Sequence, residues 1–277
     1  ARVEIQQQQQ QQRQQVSVPL VSPRDAMRAM GTSPRRIFTS FLFGSIIALG
    51  GNLFGITSLL LSMLPEDSIE STGLDTYFPR GPYKRFRSNG NDGYTFCYPK
   101  TWLGDPAIEL AKANRRTKTL VYSRKTSSAK RSVLPDAAFG PPGKLNERGI
   151  SQSDTNVSTI VSPATPGFSL RATLGDPTSA AQTLFKISMA PEGSGRVATL
   201  LEAHEEMRYG SLFYQFEYRV DRGEQRLLLP PLRAISVIGA KEGKTLHTLT
   251  VVAPEQDWQD AKYSAMLTKV ATSFHFT

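Results

Sequence analysis

The sequence is poor in the residues that do most enzymatic and metal chemistry. It holds one cysteine, Cys97, among 277 residues, so an intramolecular disulfide is excluded. Cys97 is read as a small buried side chain rather than a reactive thiol. There are three histidines, His204, His247 and His275, and none stands at a ligand spacing such as H-E-x-x-H. Only His204 has acidic neighbours. Successive strand residues point to opposite faces, so Glu206 shares a face with His204 and Glu205 does not. His204 and Glu206 are thus the only candidate metal ligands, weighed against an ordinary solvated polar face. There is no G-x-S-x-G nucleophile elbow and no phosphate-binding P-loop, and Gly193-Ser194-Gly195 reads as a turn. The carboxylates Glu205 and Glu206 have no nearby apolar burial to tune them as an acid/base pair. The chain is expected to be no enzyme and to carry no cofactor of its own.

Charge is missing from one long stretch. Ile37 to Leu64 is a run of 28 residues without a charged side chain. A helix of about 20 apolar residues crosses a bilayer core, so residues 37–64 are expected to form one transmembrane helix. Gly51 and Gly55 stand in G-x-x-x-G spacing, which lets another helix approach closely. Acids are also scarce upstream, two (Glu4, Asp25) against six arginines, whereas Glu66, Asp67, Glu70 and Asp75 follow the run. Positive flanks stay on the insertion side, so the N-terminus is expected to be stromal or cytoplasmic and the large domain translocated. Arg35 and Arg36, followed two positions on by a phenylalanine, fit a twin-arginine export signal and equally fit two stop-charge arginines. The run ends Leu61-Ser62-Met63-Leu64-Pro65, which offers no small-residue cleavage site, so an uncleaved anchor is expected.

Before the run, residues 1–36 form a basic tail with a glutamine run, too polar to offset the entropy of ordering. After it, residues 65–92 read as a linker. A compact domain is expected over 93–277. Tyr94 to Tyr98, Thr117 to Ser123 and Thr155 to Ser162 are strand candidates, and 124–154 is a long loop. Asp176-Pro177 opens a helix. Val197 to Met207 with Leu212 to Val220, and Leu232 to Ala240 with Thr245 to Val252, read as two hairpins. Trp258 to Ala271 has helical periodicity, and Ser273 to Phe276 adds a last strand. Consecutive hairpins interleaved with helices give an α+β sandwich built on an antiparallel sheet.

The excess positive charge is local. The whole chain is +9, while residues 80–131 hold thirteen Lys or Arg against three acids. Arg115, Arg116, Lys118, Arg124, Lys125, Lys130 and Arg131 form its densest part. They are read as a docking face for an acidic protein surface or anionic lipid, against ordinary surface charge. Nucleic acid is disfavoured, because no stacking-aromatic motif accompanies the charge.

Five pieces of the domain together resemble the PsbP family. They are Asp92-Gly93-Tyr94-Thr95-Phe96-Cys97-Tyr98-Pro99-Lys100-Thr101-Trp102, Asp154 to Val161, Phe213-Tyr214-Gln215-Phe216-Glu217-Tyr218, Lys244 to Leu249, and Trp258 with Val270-Ala271-Thr272-Ser273-Phe274. The resemblance implies a central antiparallel sheet with helices on both faces, an α/β/α sandwich. It implies the chloroplast thylakoid, with the main domain in the lumen. It implies photosystem membrane subunits and extrinsic lumenal proteins as partners, photosystem II foremost, in a stabilising or assembly role. Calcium and chloride would then belong to the complex bound. The anchor helix and the long loop depart from the founding member. A soluble lumenal ion- or ligand-binding protein, or a photosystem I assembly factor, are the alternatives.

Overall fold

The computed structural model describes residues 56–65, 68–69, 72–88, 93–112, 135–143, 154–165, 167–223 and 229–277. The chain divides into two compact units, Ala1–Thr57 and Ser58–Thr277. The tail, Arg35, Arg36, Gly51, Gly55 and the expected strand Thr117 to Ser123 lie outside the described residues. Of the expected transmembrane run, helix α1 (Ile56–Met63) is described. Among the described residues no helix is long and apolar enough to cross a membrane.

The second unit is built on a seven-stranded sheet. Its strands are β3 (Leu103–Gly104), β4 (Ala137–Gly140), β5 (Asn156–Pro163), β6 (Val197–Arg208), β7 (Ser211–Asp221), β8 (Leu232–Lys241) and β9 (Thr245–Pro254). They run antiparallel in the order β3-β4-β5-β9-β8-β7-β6. A smaller sheet orders β1 (Tyr83–Arg87), β2 (Tyr94–Pro99) and β10 (His275–Phe276) as β1-β2-β10. Both expected hairpins form. Arg208 faces Ser211 across the two-residue turn Tyr209-Gly210, whose φ angles of 48° and 78° suit a right-twisted hairpin.

Each face of the large sheet has its own cover. On one face Phe213, Ile235, Val237, Leu249 and Val251 pack against Tyr94 and Phe96 of β2 and against Leu267, Val270 and Ala271 of helix α3 (Ala261–Thr272). On the other, Tyr214, Phe216, Tyr218 and Ile238 pack against Leu170, Ala180, Ala181 and Phe185. Those four come from helix α2 (Pro177–Leu184) and the π-helical turns on either side of it. Asp176 caps α2 by accepting from the Thr178 and Ser179 amides, as Asp-Pro at its start predicts. Asp260 caps α3 in the same way. The α+β class and the sheet with helices on both faces therefore stand.

Three boundaries differ from the sequence reading. The segment expected as a linker over 65–92 carries β1, which pairs with β2 from Tyr83↔Pro99 to Arg87↔Thr95. Ile69 is buried, and Arg85 and Asp75 form a buried ion pair. The segment reads as solvated because its buried charges neutralise each other. The loop expected over 124–154 is interrupted by β4, which pairs with β5. Its Phe139 stacks on Tyr98 with ring centroids 4.1 Å apart. Trp258 lies in a 3-10 turn before α3 rather than in the helix itself.

Candidate functional site

The sequence pointed to His204 and Glu206. Both lie on β6, opposite Gln215 and Phe213, so they share a face, while Glu205 pairs with Tyr214 on the other. Their partners differ. Glu206 accepts from Arg208 at 2.9 and 2.7 Å. His204 Nδ1 lies 3.3 Å from a Glu202 oxygen. Glu205 is held by Arg171 at 3.1 and 2.6 Å. Each carboxylate with an arginine is committed to an ion pair. Among the described residues no three His, Cys, Asp or Glu side chains gather into a metal-binding group.

The other two histidines are packing residues. His247 is buried on β9, with Nε2 2.9 Å from the Thr245 hydroxyl and its ring edge-on to Tyr94 and Phe276. Burial, reinforced by Lys241, pushes its pKa down to about 4, so the ring is neutral near pH 7. His275 stacks on Tyr209 with centroids 4.2 Å apart.

A different group of residues comes together behind β2. A shallow cavity of about 170 Å³ is lined by Asp75, Arg80, Lys84, Arg85, Cys97 and Lys269, with Tyr83 at its side. The fold explains the gathering. Arg85 lies opposite Cys97 in the β1–β2 register. The Cys97 amide donates to Ser273 Oγ at 2.8 Å, which ties β2 to the C-terminal end of α3, where Lys269 projects. Four cations face one carboxylate, and that carboxylate accepts from Arg85. Burial raises the Tyr83 phenol above its ordinary pKa, and Cys97 adds to the effect. The size and sign of the cavity suit one carboxylate of a partner. The sequence could not reveal this cluster, because Lys269 is remote in the chain and carries no local signal.

The basic positions divide between surface and interior. Arg85 belongs to the buried pair with Asp75. Arg80 donates to the Leu64 carbonyl at 3.1 Å. Lys112 lies 3.2 Å from Asp136. Arg115, Arg116, Lys118, Arg124, Lys125, Lys130 and Arg131 lie outside the described residues.

Residues 82–276 match the PsbP family. The chain belongs to the PsbP family. The match begins one residue before β1, so the family domain includes the strand that the sequence reading left in a linker. Over 239 residues the chain is 31% identical to "PsbP domain-containing protein 7, chloroplastic" of Arabidopsis thaliana, covering 82% of this chain and 78% of that protein. It is also similar to the solution structure of cyanobacterial PsbP (CyanoP) from Synechocystis sp. PCC 6803. That match has 24% identity and a TM-score of 0.48, and covers 71% of this chain and 93% of the other.

Proposed function

We propose that this PsbP-family chain is a non-catalytic accessory subunit of the photosynthetic apparatus. Ile37–Leu64 anchors it in the chloroplast thylakoid membrane, with the tail in the stroma and the PsbP domain in the lumen. There it binds the lumenal side of a photosystem, photosystem II in the first place, and stabilises it or helps assemble it. The observation that carries the reading is the family match over residues 82–276, joined to a chloroplastic relative covering most of the chain. The arginine bias before Ile37 supports the topology.

Docking is electrostatic in this reading. The cavity cations Lys84 and Lys269, with the seven basic residues between Arg115 and Arg131, meet an acidic lumenal surface. Exposed pairs contribute about 0.2–1 kcal/mol each, so several must act together.

The test is to separate solubilised thylakoid complexes and ask which one carries this chain. It should migrate with photosystem II. Reversing the charge of Arg115, Arg116, Lys118, Arg124, Lys125, Lys130 and Arg131 together should release it while it stays in the membrane. Migration with photosystem I would move the role there, and absence from both would sink the reading.

A further inference from the structure

Helix α1 exposes an apolar ridge. Its sequence, Ile-Thr-Ser-Leu-Leu-Leu-Ser-Met, has no charge. Leu61 turns inward and is 3% exposed, whereas Leu59, Leu60, Met63 and Leu64 are 58%, 49%, 73% and 47% exposed. One exposed leucine needs no explanation, but four large apolar side chains within six residues do. The ridge is tied to the domain at its end, where Arg80 donates to the Leu64 carbonyl at 3.1 Å. Tyr77, three residues before Arg80, is 75% exposed. An exposed tyrosine and an arginine are the side chains that the headgroup layer of a bilayer accepts.

Length points to the same occupant. The uncharged run is 28 residues long. As a helix it would extend about 42 Å, against a hydrocarbon core of about 30 Å. Some eight residues are therefore surplus, the length of α1. Tilt is one way to absorb such a surplus. Here Arg80 of the domain holds the end of the run at the Leu64 carbonyl, which sets these residues at the edge of the hydrocarbon rather than within it.

We propose that Leu59, Leu60, Met63 and Leu64 insert into the boundary between headgroups and acyl chains, so that the domain docks on the lipid surface through its own side chains. The inference rests on the membrane-anchor reading and adds to it. The domain does not swing on a free tether but is held against the bilayer. Its partner must then present acidic groups close to the membrane plane.

The experiment uses the full chain reconstituted in phosphatidylcholine vesicles containing an anionic lipid. Cys97 is buried, so a thiol-reactive fluorophore reports an introduced cysteine. Leu60→Cys and Met63→Cys probe the ridge. Ile187→Cys, at a residue 72% exposed, is the control. Nitroxide groups on the acyl chains should quench the two ridge labels several-fold more than the control, and aqueous iodide should reach the control but not the ridge. Iodide reaching positions 60 and 63 as readily as 187 would overturn the proposal. So would shielding from both quenchers, which would mean that a protein surface, such as a second copy, covers the ridge. Flotation with the vesicles separates the two claims. A chain that floats with iodide-accessible ridge labels keeps its anchor and loses only the ridge. A chain that does not float loses both.

Discussion

The two faces of the seven-stranded sheet are closed by different materials. One is aromatic: Phe213, Phe274, Phe276 and Tyr94 interlock, with Phe213 and Phe274 rings edge to face at 5.7 Å. The other is covered by the small residues Ala180 and Ala181 and threaded by hydroxyls. There Tyr218 bonds to Ser236 at 3.0 Å, Ser236 bonds to Thr250 at 2.9 Å, and the Tyr214 hydroxyl donates to the Gly175 carbonyl at 2.7 Å. Apolar burial carries stability in proportion to area, whereas directional hydroxyl bonds contribute little net energy but fix which strand residues face each other. The first face should therefore hold most of the stability and the second most of the detail.

The hardest blow to the first face is Phe274→Ala. The ring is fully buried at the end of α3, against Tyr94 and Phe213. Its loss should cost about 3–5 kcal/mol. A urea titration should show the midpoint falling with the slope unchanged. A smaller loss than that caused by Phe185→Ala on the opposite face would reverse the ranking of the faces.

The second test asks whether the first face's cover ends at β2 or includes the layer behind it. Asp75→Asn removes the counter-charge of the buried Arg85 guanidinium. Stranding a buried charge should cost about 3 kcal/mol, so the variant should unfold at clearly lower urea. If it unfolds with the wild type, the segment before Gly93 is an appendage after all.

That segment shows what could be read from sequence and what could not. The hairpins β6–β7 and β8–β9 were legible because alternation and turn residues are local signals. Asp75 and Arg85 were misread because charged residues look solvated until their partner is known. β4 was invisible because Ala-Ala-Phe-Gly is too short and too small for a pattern of period two. At the candidate metal pair, the shared face of His204 and Glu206 followed from the pleat, but Glu206's capture depends on a buried Arg208 held by the Ala271 and Phe274 carbonyls, which are remote in the chain. The Lys269–Lys84–Cys97 cluster needed the docking of α3 on β2, which no sequence window contains.

The third test reaches one face and spares the other. His247 lies among the aromatics, between Lys241, which lowers its pKa, and Asp136, which raises it. Its folded pKa is about 4, against an unfolded value of 6.5. Above pH 6.5 neither state binds the proton, so the residue leaves stability unchanged. As the pH falls from 6.5 to 4 only the unfolded chain takes it up, and stability declines by on the order of 1 kcal/mol per pH unit at the steepest. Urea midpoints measured down that range should fall more steeply for the wild type than for His247→Gln. Parallel curves would mean that the ring is not buried as a neutral group.

The smallest effect probes the second face directly. The Tyr218 hydroxyl joins a chain of hydroxyls that crosses β7, β8 and β9 through Ser236 and Thr250. Burial pushes its phenol up to about 12, so it stays protonated through the physiological range and acts only as a hydrogen-bonding group. Tyr218→Phe keeps the ring and its packing against Phe185, and leaves Ser236 its bond to Thr250. The bond to Ser236 and the weak one to the Met189 sulfur are lost and no strand partner is stranded, so the cost should be about 1 kcal/mol. Ser236→Ala removes the middle of the chain and leaves both neighbours short of a partner, so it should cost more than Tyr218→Phe. The double variant should cost less than the sum of the two, because both remove the same bond. Strict additivity would mean that Tyr218 and Ser236 act independently. A Tyr218→Phe loss as large as that of Phe274→Ala would mean that the hydroxyl chain, and not aromatic burial, holds the sheet together.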